Sequence, residues 1–170
     1  KKHIVKMFQL AGMDEAQATK NMEAVMEIET RLAKVSYSAV EQRNPAANYH
    51  KMTLDELKKE IPGFDWDAYI NKLGVKGVTS LNVSQIPPVK ESVAIINTLP
   101  MEKQIAYLQW KLIDSAASYL SADFDEQNFA FYGKVLSGKK EQQPRWKRAV
   151  GTVNGVLGEA VGQMYVEKYF

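Results

Sequence analysis

Six prolines (Pro45, Pro62, Pro87, Pro88, Pro100 and Pro144) divide this chain into stretches whose apolar residues recur at helical spacing. Proline has no amide hydrogen and its ring crowds the preceding turn, so each one confines a helix to the text before or after it. The chain is therefore written as a series of bounded helices. From Asp14 to Val35, the residues Met22, Val25, Leu32 and Val35 share one face, with Ile28 one step off it, and Glu27 stands four before Arg31 in the favourable order for an intrahelical ion pair. The opening KKHIVKMFQLAG also reads as helix.

Residues 36–51 hold no sustained period and read as a turn-rich connector. Thr53 with Glu56 forms a capping box, in which hydroxyl and carboxylate satisfy the free amides of a helix start reciprocally. Pro62-Gly63 ends that short helix, Asp65 caps the next, and Gly74 closes it. SLNVSQ (80–85) alternates briefly as a lone extended segment, and Pro87-Pro88 opens a helix through about Thr98. From Met101 to Tyr119, Ile105, Leu108, Leu112 and Ala116 form a face that Tyr107 and Trp110 widen. Phe124, Phe129, Phe131, Tyr132, Val135 and Leu136 then surround the next helix on most sides, which predicts burial in a bundle. The final helix starts at Pro144 and carries Trp146, Val150, Val153, Leu157, Ala160 and Met164 along one seam. The predicted fold class is mainly α: one multi-helix domain over residues 1–170, of long and short helices with at most one short strand.

Several function classes are disfavoured on composition. The 22 basic and 20 acidic residues nearly cancel, so no nucleic-acid partner is implied. No cysteine is present, which removes disulfides, thiolate zinc sites and cysteine nucleophiles from this segment. No apolar run reaches the ~18 residues that suggest a membrane span. The start lacks both methionine and a signal-peptide core, so the segment reads as an excised piece of a longer protein.

Residues suited to catalysis are sparse. A zinc site on a helix needs histidines at i and i+4, as in His-Glu-x-x-His, and the two histidines here, His3 and His50, are far apart in the chain. Gly133-Lys-Val-Leu-Ser-Gly138-Lys139-Lys140 nearly spells a phosphate-binding loop, but Lys140 occupies the place of the magnesium-binding hydroxyl, and the stretch continues a helix instead of following a strand. KKEQQPRWKR (139–148) reads as a solvated helix entry whose arginines pair with carboxylates and whose Trp146 joins the core. Asp14, Asp55, Asp65 and Asp67 all sit where helix starts favour carboxylates. No catalytic or metal-binding residue is assigned, and no substrate-binding residue is named.

The last helix holds four glycines, Gly151, Gly155, Gly158 and Gly162. Each interior glycine costs about 0.8 to 1 kcal/mol relative to alanine, roughly 3 to 4 kcal/mol together. At 3.6 residues per turn the four fall within about 60° of one another, away from the Trp146–Met164 seam. They read as a packing surface for close approach of another backbone. On that reading, overpacking by Gly155→Leu or Gly158→Leu destabilises the domain.

The order Arg-x-Pro, Tyr, Met-Thr, Glu-Leu, Pro-Gly-Phe-Asp-Trp within RNPAANYHKMTLDELKKEIPGFDWDAYI (43–70) resembles the amino-terminal region of neprilysin-like zinc metallopeptidases. YLQWKLIDSAASYLS, NFAFYGKVLSGKKEQQPRWKRAV and LGEAVGQMYVEKYF look like successive later blocks of that family, in the same order. The resemblance implies the helical lid of a zinc endopeptidase, which limits access to a peptide cavity facing a catalytic domain absent from this chain. The family's zinc ligands and glutamate general base, which activates a zinc-polarised water, lie carboxy-terminal to these blocks, so zinc belongs to the parent protein and none to this segment. The partners implied are that missing catalytic domain and peptide substrates. Ala149 stands where animal relatives carry cysteine, which fits a bacterial member, and the resemblance favours a periplasmic or cell-envelope location. The alternative is a non-enzymatic helical protein-interaction module, in which the lid persists without a catalytic half.

Overall fold

A computed structural model describes all 170 residues. The chain forms two compact units, Lys1–Ala116 and Ala117–Phe170. Both are mainly helical.

The first unit is organised around α2 (Glu15–Val35), which packs against α1 (Lys2–Leu10), α5 (Ile86–Thr98) and α6 (Met101–Ala116). Asp14 starts α2 by accepting the Gln17 amide at 2.8 Å, which satisfies one of the free donors that every helix start exposes. The helix buries Ala18, Met22, Ala24, Val25 and Ile28. Met7 and Phe8 of α1 are wholly inaccessible to solvent.

The polar edge of α2 reaches outward instead of pairing with itself. Glu27 binds Lys103 of α6 at 2.5 Å, and Arg31 binds Glu91 of α5 at 2.6 Å. The intrahelical Glu27–Arg31 pair expected from spacing is replaced by these two bridges between helices. Tyr107 of α6 donates to Glu29 at 3.0 Å. Burial, reinforced by the adjacent carboxylate, pushes the phenol of Tyr107 up to about 12.

A smaller cluster forms where α3 (Leu54–Glu60) and α4 (Trp66–Lys72) meet α5. Its buried members are Leu57, Ile61, Trp66, Val83 and Val93. The capping box at Thr53 is complete, with Thr53 accepting from the Glu56 amide and the Glu56 carboxylate accepting from the Thr53 amide. Trp66 donates its indole hydrogen to the Ile61 carbonyl at 2.8 Å, so the one polar atom of a buried ring is satisfied. The turn between the two helices places Gly63 at φ +87°, a left-handed conformation that glycine adopts without strain. Asp65 caps α4 through the Ala68 amide, whereas Asp67 forms an ion pair with Lys58 at 2.7 Å.

The extended segment within residues 80–85 has a partner. β1 (Lys51–Met52) and β2 (Leu81–Asn82) pair antiparallel, Lys51 opposite Asn82 and Met52 opposite Leu81. The connector over 36–51 thus ends in a two-residue strand, too short for any alternation to be legible in the sequence.

Helix α6 buries a different face from the one expected. Ala106 and Trp110, four residues apart, are buried, while Ile105, Leu108 and Leu112 are exposed. Two apolar faces share this helix, and the presence of Trp110 on one of them decides which is covered, because a large ring buries the greater area.

The second unit contains α7 (Ala122–Asn128), a wide π-helical stretch over Phe129–Leu136, and α8 (Arg145–Tyr169). In the π-helical stretch only Gly133 is buried, and Val135 and Leu136 are exposed, so the aromatic segment is not enclosed as its composition predicts. The stretch closes at Ser137 and Gly138, where the Ser137 hydroxyl donates to the Tyr132 carbonyl at 2.7 Å and the Lys139 amide to the Gly133 carbonyl at 2.9 Å. Asp125 joins α7 to the start of α8 through Arg148 at 2.9 Å.

Helix α8 buries none of its side chains. Its backbone departs from helical geometry at Leu157, where φ is −121° and ψ is 30°. This break lies between Gly155 and Gly158, at a place where two turns lack side chains to hold them. The glycine arc is consequently interrupted, with Gly151 and Gly155 before the break and Gly158 and Gly162 after it. A β-carbon at any of the four would meet nothing within 4 Å.

Candidate functional site

Metal-binding chemistry requires convergent donors, and no group of three His, Asp or Glu side chains is placed to hold an ion. The two histidines have structural surroundings. His50 lies beside β1, with Nδ1 3.0 Å from the Val83 carbonyl and its amide donating to Asn82 at 2.7 Å. His3 is buried in α1 against α6, its Nε2 3.9 Å from Asp114 and its ring edge-on to Trp110 at 5.6 Å. Phe8 completes this cluster, its ring 6.3 Å from that of Trp110.

Burial lowers the pKa of His3 below the usual histidine value, and Asp114 opposes that shift without cancelling it. The folded protein therefore holds His3 less readily protonated than the unfolded chain does. A group with a depressed folded pKa contributes stability above its unfolded value, near 6.5, and this contribution is lost as pH falls through the folded value. Amide protection in α1 and α6 is expected to decline below pH ~6.5 with a slope of at most about 1.4 kcal/mol per pH unit for this one proton. His3→Gln is expected to flatten the decline, measured by hydrogen exchange from pH 5 to 8; an unchanged slope contradicts the assignment.

The near phosphate-loop sequence at Gly133–Lys140 lies in the π-helical stretch and its closing turn. The Lys139 amide bonds to the Gly133 carbonyl and so is not presented to a ligand. In the basic stretch, Arg148 pairs with Asp125, as the sequence suggests, but Trp146 is exposed with the Lys147 ammonium 5.4 Å from its ring centre. It does not join a core in these residues.

Each unit has open concave surface. In the first, a groove of about 700 Å³ runs beside β2 and is lined by Phe64, Trp66, Tyr69, Leu81, Val93 and Ile96, among others. In the second, a cavity of about 870 Å³ is bordered by Asp125, Gln142, Arg145 and Arg148. Gln142 and Arg148 both donate to Asp125 Oδ1, at 3.1 and 3.0 Å, so the Asp125 carboxylate and the Arg148 guanidinium are engaged with each other. These surfaces offer apolar contact and paired charge. They present no nucleophile aligned with a base and no metal-ligand set.

No catalytic or metal residue is expected from the sequence, and packing is expected at Gly151, Gly155, Gly158 and Gly162. All four face open space, on a helix none of whose side chains is buried. What sequence reasoning missed is the His3–Asp114–Trp110 cluster. Trp110 and Asp114 are four apart on α6, but their partner lies about a hundred residues earlier, and no local pattern links them.

The model of peptidase family M13 matches residues 1–170, and the chain belongs to that family. Human membrane metallo-endopeptidase-like 1 is 31% identical over 165 residues, 92% of this chain and 21% of the relative. Human endothelin-converting enzyme 1 is 26% identical over 169 residues, 95% of this chain and 21% of the relative. Among solved structures, Mycobacterium tuberculosis zinc metalloprotease ZMP1 in complex with inhibitor superposes with a TM-score of 0.92 at 30% identity, over 99% of this chain and 26% of that one. The same protease in its open state gives 0.90 with the same identity and coverage. The chain thus spans about a quarter or less of the length of the proteins it matches. The family implies zinc, and the residues present do not fit it: His3 and His50 lie in separate surroundings, and no third donor joins either.

Proposed function

We propose that the polypeptide to which these 170 residues belong is a zinc-dependent metalloendopeptidase acting on peptides, and that this segment is its helical lid. The segment limits access to the substrate cavity and shapes it, and the chemistry is carried by a catalytic domain elsewhere in the same polypeptide. The observation that carries this reading is the pairing of membership in a peptidase family with the absence of any metal-ligand cluster among these residues. The likeness to a bacterial zinc metalloprotease over 99% of the chain supports it. A periplasmic or cell-envelope location belongs to the same proposal; no helix here is long and apolar enough to cross a membrane.

Selection by size distinguishes a lid from a passive appendage. The full polypeptide is expected to hydrolyse short unstructured peptides, to lose this activity to a chelator and regain it with zinc, and to leave folded proteins intact. Equal cleavage of a short peptide and of the same sequence displayed on a folded domain overturns the lid assignment. Peptide cleavage that survives complete zinc removal overturns the enzyme class.

A further inference from the structure

Asn21 of α2 is buried, at 6% exposure, and a buried amide requires partners for its oxygen and for its nitrogen. Gln17, one turn earlier, donates to Asn21 Oδ1 at 2.7 Å. The carbonyl end of the amide is thereby taken, and its nitrogen end is the one turned toward the junction of α1 and α2. There Asn21 Nδ2 donates to the sulfur of Met13 at 3.2 Å. A thioether is a weak acceptor, so this buried donor is only just satisfied.

Met13 is fixed from its other side by the end of α1. Gly12 turns the chain at φ +93°, its amide donates to the Gln9 carbonyl at 2.9 Å, and the Met13 amide donates to the Phe8 carbonyl at 3.2 Å. Phe8 is wholly buried. One side chain therefore ties the last turn of α1 to a buried polar group of α2. Of the seven methionines, Met13 alone accepts a hydrogen bond at sulfur. Met7 and Met22 are buried, and Met101 and Met164 are exposed. Met13 lies between these extremes, half-buried, and borders an open groove of about 700 Å³ together with Gln17, Lys20 and Asn21. A small solute in that groove meets a sulfur that is engaged with the interior.

We infer that Met13 is an oxidative modification site, at which a peroxide converts the thioether to the sulfoxide and Asn21 transmits the change to the junction of α1 and α2. A sulfur lone pair attacks one oxygen of hydrogen peroxide, the S–O bond forms as the O–O bond breaks, and the second oxygen leaves as water with both protons. Sulfur loses two electrons and the peroxide gains them. No oxygen fits between the sulfur and a nitrogen already 3.2 Å away, so the oxygen enters on the side of the groove. The acceptor then points away from Asn21, and the sulfur left facing Nδ2–H carries partial positive charge. A buried donor that loses its acceptor is costly, and a polar sulfoxide replaces an apolar side chain in the same turn. The junction loosens as a result, and reduction of the sulfoxide restores it.

The test treats the full polypeptide with hydrogen peroxide, locates sulfoxide by peptide mapping and follows amide exchange over residues 9–21. Met13 is expected to oxidise at least tenfold faster than Met7 and Met22. Exchange in the segment is expected to accelerate at least fivefold and to return to its starting rate after repair by methionine sulfoxide reductases of both epimer specificities. Asn21→Leu removes the donor and is expected to hold the acceleration below twofold. Met13→Leu removes the sulfur, is expected to show no response to peroxide, and carries the test if Asn21→Leu fails to fold. Oxidation of Met13 no faster than that of Met7 and Met22, or unchanged exchange once Met13 is fully oxidised, overturns the inference. A response that persists in Met13→Leu places the effect at another methionine and overturns it too. Equal acceleration in Asn21→Leu removes Asn21 from the path and does the same.

Discussion

Replacing Trp110 by alanine is expected to destabilise the first unit by about 3–5 kcal/mol, the range for removing a large buried aromatic. Trp110 is 6% exposed, and its ring meets His3 edge-on and Phe8 at a tilt. It closes the core at the junction of α1 and α6. The loss is expected to appear in the full polypeptide as faster amide exchange throughout α1, α2 and α6. Because α2 packs against both of the other helices, weakening should spread through it without remaining at the site. Trp110→Phe keeps an aromatic ring and is expected to recover more than half of the effect. Exchange unchanged by Trp110→Ala would mean that this cluster does not hold the unit together.

The second large effect is expected at Gly133. A β-carbon there would overlap the Phe129 ring at Cδ2 and Cε2, because the wide turn of the π-helical stretch lays that ring over the glycine. Gly133→Ala is expected to cost about 1–3 kcal/mol by overpacking, measured as a lowered midpoint of urea unfolding for the second unit. Phe129→Ala in the same background is expected to relieve the clash, so the double variant should be more stable than the sum of the single losses allows. Strict additivity would show that the ring moves aside at little cost and that the glycine is dispensable.

Gly133 and the four glycines of α8 illustrate why a glycine is hard to interpret from sequence. All five stand in helical text. At Gly133 the reason lies four residues away in the same chain, in a ring whose position depends on a π-helical turn that no residue pattern announces. At Gly151, Gly155, Gly158 and Gly162 a β-carbon would meet nothing within 4 Å. A helical wheel treats the two cases alike. It also assumes an unbroken helix, which Leu157 does not supply.

Local signals were read more successfully where the physics is itself local. The capping box at Thr53, the Asp14 and Asp65 caps, the Pro87-Pro88 helix start and the closure at Gly74 each depend on residues within a turn or two, and each is present in the structure. Choices made over long distances were not legible. Glu27 and Arg31 have ideal spacing for each other and are drawn instead to Lys103 and Glu91. The buried face of α6, which carries Trp110, is covered by His3 and Phe8, residues from the other end of the first unit. The two strands of the small sheet are two residues each and become strands only because they meet.

The functional reading has a similar division. Ordered blocks such as RNPAANYHKMTLDELKKEIPGFDW carry the family, but composition and spacing alone identify no chemistry. The exposed apolar residues of α6 and α8 are equally uninformative by periodicity, which marks a face as apolar without saying whether its cover lies in the same stretch of chain.

Zinc content of the full polypeptide, with both histidines of this segment replaced, tests the central claim most directly. If the chemistry lies elsewhere in the chain, His3→Gln combined with His50→Gln leaves metal content per folded molecule equal to that of the unsubstituted protein, and peptide hydrolysis persists. Loss of stoichiometric zinc from the folded double variant would place the metal in this segment and contradict its assignment as a non-catalytic lid.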